Sequence, residues 1–113
     1  MHYLARSAAS TDVPPQSYLG HVLHVLVRSR CYLRKVLLYA QKWDAAAVRR
    51  ILELASEYHD LGKLADENQC VLAGETQAGR LPIPHADAGV AHLVGREAWL
   101  SALLVYAHHA GLP

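Results

Sequence analysis

The sequence predicts an all-α fold, a helical bundle of about four to five helices, on three observations. Apolar residues recur at three- and four-residue steps over long stretches. Apolar–polar alternation nowhere runs far enough to assert a strand. Gly74, Gly79, Pro82 and Pro84 gather in one connection between periodic segments. With 113 residues there is room for one domain, spanning 1–113. Its core should be modest, since a unit of this size buries somewhat under ~70% of its unfolded surface.

The elements follow in order. Ser7 to Gln16, rich in small residues and proline, is an irregular lead-in ending near Ser17. A first helix starts there and continues through about Gln41, with Leu19, Val22, Leu23, Leu26, Leu33, Val36, Leu37 and Ala40 as its apolar stripe. Asp44 is a candidate N-cap for the second, in which Val48, Ile51, Leu52, Ala55 and Tyr58 form the stripe and Gly62 is the stop. From Lys63 to Pro84 the chain should be mostly irregular, with a short helical turn near Asp66–Leu72, and is the connection expected to border a site. A short helix from His85 to Leu93 follows Pro84. A last one covers Arg96 to His109, with Trp99, Leu103 and Tyr106 as expected core contacts.

Composition is globular, with 52% hydrophobic and 19% charged residues. The formal charge of +1 provides no global attraction to phosphates, so affinity for nucleic acid must be local. Arg28, Arg30, Arg34, Lys35, Lys42, Arg49 and Arg50 do gather in one stretch. They make either a phosphate-facing patch or a solvated face of two helices. Two cysteines without a C-x-x-C pair, and no secretory segment, point to a reducing cytoplasm and a fold without disulfides. No apolar stretch reaches the ~18 residues of a membrane span. A Gly-x-x-x-x-Gly-Lys-Ser/Thr loop is missing, which excludes helicase activity in this chain.

The chemistry lies in the histidines, of which there are 8. The strongest local signal is Glu57-Tyr58-His59-Asp60-Leu61-Gly62-Lys63. An imidazole and a carboxylate side by side at a helix end can reach one metal ion, or the carboxylate can bridge two. Lys63, four residues after His59, shares its face if the helical turn continues and can then meet a substrate phosphate. Taken alone, a His-Asp dipeptide usually means a surface hydrogen bond. Here it has company on separate segments: His21 in GHVLHV, His85 in PHADAG, and His108 and His109 in YAHHAGLP. Sites that hydrolyse phosphoesters draw three or four such ligands per ion from several helices.

In this order, His21, then HDLGK, then PHADAGV, then HHAGLP, the sequence resembles the HD nuclease domain of the type I CRISPR-associated nuclease-helicase, collinearly over nearly the whole chain. The opening His2-Tyr3-Leu4-Ala5-Arg6-Ser7 is also similar to that family's start. The resemblance implies an HD-domain bundle and a two-ion site cleaving single-stranded DNA in antiviral defence. Asp60 would bridge, His21 and His59 would serve one ion, His85, His108 and His109 the other, and Lys63 would stand near the scissile phosphate. It implies divalent transition metals, Mn, Ni, Co or Fe, with Zn admissible and Mg disfavoured by imidazole-rich ligation. Implied partners are a CRISPR surveillance complex and a helicase domain or subunit. The family has a further Asp and closing helices downstream of the double histidine, whereas this sequence stops at Pro113. Weaker binding of the first ion and self-association through uncovered apolar faces are therefore expected. Two other readings stay open: an HD phosphohydrolase acting on nucleotides, and a truncated, catalytically weak fragment serving as a metal-binding or interaction module. His24, His2 and His92 match no ligand position.

Overall fold

The computed structural model describes residues 2–111, so Leu112 and Pro113 of the terminal run lie outside it. The fold is mainly α. Strands β1 (Leu4–Arg6) and β2 (Gln16–Ser17) precede helices α1 (Tyr18–Leu37) and α2 (Ala45–Tyr58). A 3-10 helix (Leu61–Leu64) and helix α3 (Asp66–Leu72) follow, then α4 (His85–Gly95) and α5 (Trp99–Ala110). The described helices number five α and one 3-10, in line with the helical bundle that the apolar spacing predicts.

Local chemistry accounts for the helix starts. The Ser17 hydroxyl accepts the Gly20 N–H at 3.1 Å, opening α1. Asp44 accepts the N–H groups of Ala46 and Ala47 at 3.0 and 3.1 Å, as expected of an N-cap. Helix α1 closes at Leu37, short of Gln41, because the next amides turn back on Lys35 and Val36 in a tightened last turn. The two strands correct the expectation of purely helical structure. They pair antiparallel, Leu4 opposite Ser17 and Arg6 opposite Gln16. At two and three residues they are too short to leave a periodicity.

The core sits where α2, α4 and α5 meet, around Ala55, Leu93, Ala102 and Val105. Small residues let these helices approach closely: a Cβ added at Gly89 would collide with the Tyr58 carbonyl oxygen, and Ser101 donates to the Ile51 carbonyl at 2.8 Å. Here the sequence reading of α5 needs correction. Trp99, Leu103 and Tyr106 are 61%, 59% and 60% exposed, while Ser101, Ala102 and Val105 face inward. The period was legible but the phase was not, since α5 is apolar on nearly every side. Similarly, Leu19, Leu23 and Val36 of α1 are exposed and Val22 and Leu33 are buried.

Two polar side chains hold the segment that carries the site. Asn68 of α3, fully buried, donates to the carbonyls of Gly62 and Ile83 at 2.9 Å each and accepts the Ile83 N–H at 3.0 Å. It thereby ties the 3-10 helix to the approach to α4. Gln69 pairs with both backbone groups of Leu4, at 2.8 and 2.9 Å, and donates to the Lys63 carbonyl at 2.6 Å. Gly62 is required by contact: an added Cβ would stand 2.6 Å from the His85 Cα. The absence of a side chain there brings His85 up to the end of α2.

Candidate metal centre

Helix α2 ends at Tyr58, which leaves His59 and Asp60 on the turn into the 3-10 helix, both buried. His59 Nδ1 lies 2.8 Å from the Ser56 carbonyl, which can only accept, so Nδ1 carries the hydrogen and Nε2 is aimed at Asp60. Fixing the tautomer through a backbone carbonyl is the usual means of orienting a metal-binding imidazole.

Three atoms converge on one side of Asp60. His21 Nε2 is 3.1 Å from His59 Nε2 and 3.1 Å from Asp60 Oδ2, and His59 Nε2 is 3.4 Å from the same oxygen. With metal–ligand bonds of about 2.0–2.2 Å, neighbouring donors around one ion stand roughly 3.0–3.5 Å apart, so the triangle fits a single ion. On the other side, Asp60 Oδ1 faces His85 Nε2 at 3.7 Å and His109 Nε2 at 3.6 Å. This second group is looser. His109 Nε2 also lies 2.8 Å from the His59 carbonyl and donates to it, so binding an ion through that nitrogen requires giving up this bond. The residues present thus offer two donor groups sharing Asp60: His21, His59 and Asp60, and Asp60, His85 and His109.

The remaining expected residues lie close by. His108 belongs to neither group; its ring is 5.7 Å from that of His59 and 5.0 Å from that of His109. Lys63 does not share a helical face with His59, because the helix ends first. It folds back from the 3-10 helix and places Nζ 2.7 Å from Asp60 Oδ2. His2, His24 and His92 are exposed and outside both groups.

Burial alone would raise the Asp60 pKa, but hydrogen bonds from His59 and Lys63 and their positive charge outweigh it and hold the carboxyl well below the usual range. Burial also works against charge on His59, yet the hydrogen bond and charge of Asp60 raise its pKa. For His21 and His85 burial prevails over the attraction of Asp60, and their pKa values are lowered. Near neutral pH the centre therefore presents an ionised carboxylate with predominantly neutral imidazoles at His21 and His85, the protonation states that a metal ion needs.

Tyr18 was not anticipated. It begins α1 one turn before His21, and its hydroxyl is buried without a hydrogen-bond partner. Burial, then the nearby charge of Asp60, pushes its pKa up to about 12. Among the described residues it is the buried side-chain polar atom left without a partner. The three-residue spacing to His21 was the available signal.

Set against family models, curated proteins and solved structures, the chain matches none. What the molecule itself defines is a small, mainly helical protein with a buried His/Asp cluster capable of holding metal.

Proposed function

We propose that the protein is a metal-dependent hydrolase of phosphodiester bonds, of the HD nuclease type its motifs resemble, with single-stranded DNA as substrate. One observation carries the reading: the two oxygens of Asp60 face separate histidine groups, His21 and His59 on one side, His85 and His109 on the other. A carboxylate so placed suits a pair of ions. Divalent ions bound there would activate water and neutralise charge on the phosphate oxygens.

The protein's own residues would do the rest. His21, His59 and Asp60 hold the tighter position, and His85 and His109, with His108 beside them, the looser one. Lys63 stands next to Asp60 and can turn its ammonium towards a bound phosphate. The imidazole-rich set favours Mn, Ni, Co or Fe, accommodates Zn and disfavours Mg. On this reading the protein acts with a helicase domain or subunit and a CRISPR surveillance complex.

A second reading, a metal-binding interaction module, is favoured by the uncovered apolar side chains of α5, where Leu100, Leu103 and Leu104 join Trp99 and Tyr106 at the surface. Incubation of labelled single-stranded DNA with protein in Mn, Ni or Co, with EDTA and Asp60→Ala as controls, separates the two. Cleavage lost in both controls supports the hydrolase. Folded, metal-loaded protein that leaves DNA intact supports the module.

A further inference from the structure

Away from the metal centre, the surface of α1 carries a second feature. Arg28, Tyr32 and Lys35 follow at steps of four and three residues, which places them on one line along the helix, and Tyr39 lies in the tightened turn just past its end. Cation and aromatic ring alternate along that line. The Tyr32 ring lies between the two cations, with Arg28 Cζ 6.0 Å and Lys35 Nζ 5.7 Å from its centroid. Arg28 Nη2 also donates to the Tyr32 hydroxyl at 3.4 Å. Tyr32 is 57% exposed, Tyr39 90%, and nearby Trp43 56%.

The charge on this face is uncompensated. From Arg28 to Arg50 the only carboxylate is Asp44, whose side chain is engaged in capping α2. Among the described residues the sole ion pair of this stretch joins Arg30 to Glu53 of α2, on a different side of α1 from the line. In a chain of net charge +1, a strip this cationic is a local anion-binding surface.

We infer that the Arg28–Tyr32–Lys35–Tyr39 line binds single-stranded nucleic acid outside the metal centre, the cations meeting phosphates and the tyrosine rings stacking on unpaired bases. The pairing of charge with exposed flat rings selects this partner. A duplex hides its base faces from the rings. Position adds a further argument. His21 stands seven residues before Arg28, nearly two full turns, so the strip leads from the metal centre along the same side of α1, starting about 10 Å from it along the axis. The inference deepens the hydrolase reading by giving the strand a track beyond the reacting phosphate, but its test does not depend on hydrolysis.

The test is fluorescence anisotropy of a labelled oligothymidylate with the full chain, in EDTA so that nothing is cleaved. Tyr32→Ala should weaken binding about tenfold. Arg28→Ala/Lys35→Ala should reduce the slope of log K against log salt by about 1.4. Arg6→Ala/Arg80→Ala, which removes equal charge elsewhere, should change affinity less than about twofold. Circular dichroism verifies that the variants, all at exposed positions, keep their helices. Equal binding by every variant overturns the inference. So does duplex DNA held as tightly with Tyr32→Ala neutral, or anionic phosphatidylserine vesicles bound in preference to the oligonucleotide. Loss of metal-dependent hydrolysis with strip binding intact sinks only the hydrolase reading. Hydrolysis of a small phosphodiester without oligonucleotide binding sinks only the strip.

Discussion

Asp60 Oδ2 lies 3.4 Å from His59 Nε2, an imidazole nitrogen that the Ser56 carbonyl has already turned towards it. Burial works against a proton on His59, but the hydrogen bond and charge of Asp60 raise its pKa and favour a proton at that contact in the metal-free protein. A metal ion must displace it. Titration calorimetry in two buffers of different ionisation heat should therefore reveal proton release on binding, and affinity should already be falling as pH drops towards about 6.5 and continue to fall below it. Binding that is indifferent to pH across the imidazole range, about 5 to 7, would contradict this.

The same groups set the acid stability of the metal-free protein. His21 and His85 have lowered pKa values, so the stability they contribute is present above the unfolded value of about 6.5 and is lost as pH falls through the folded values. Asp60, held far below the unfolded value of about 3.9, retains its contribution until pH falls much lower. His59, raised, has the opposite sign and partly offsets the histidine loss. The melting temperature should decline on acidification below about 6.5, and His21→Gln with His85→Gln should flatten that decline.

Asn68 is the polar support of the site. Asn68→Leu leaves the N–H and carbonyl of Ile83 without partners and the Gly62 carbonyl with only the Ala65 N–H, at a cost of about 2–4 kcal/mol. A fall in melting temperature of about 10 °C or more is expected. An unchanged melting temperature would mean that the connection before α4 is held by other contacts.

Gly62→Ala forces its new methyl into the His85 backbone. Metal binding should suffer first at the looser group, leaving His21, His59 and Asp60 with about one ion per chain. Equilibrium dialysis with metal analysis reads this directly.

Glu97 connects α4 to α5 with φ 59°, while the Ala98 N–H returns to the Leu93 carbonyl at 2.9 Å. That left-handed position at a helix end favours glycine. Glu97→Gly should stabilise the protein by about 0.5–1 kcal/mol, detectable by urea unfolding; destabilisation would show that the Glu97 side chain contributes more than its backbone strain costs.

Much of this molecule was legible in its sequence because the signals are periodic or local. The three- and four-residue apolar steps gave the helices, Asp44 gave the start of α2, and His59-Asp60 at the end of that helix marked the centre. The rest depends on distant partners. Nothing near Asn68 or Gln69 announces that they bind Ile83 and Leu4, and a strand of three residues carries no period. The inward face of α5 could not be chosen by pattern, since Trp99 and Leu103 are as apolar as Ala102 and Val105. The spacing of Lys63 from His59 implies a shared face only in a continuing helix, and the 3-10 turn interrupts it.

On the proposed reading, Asp60 serves two ion positions at once. Metal content after equilibration with Mn, Ni, Co or Zn should exceed one ion per chain in the unaltered protein, fall to about one in His85→Ala and be nearly abolished in Asp60→Asn. Asp60→Asn protein that remains folded and retains its full metal content would contradict the account.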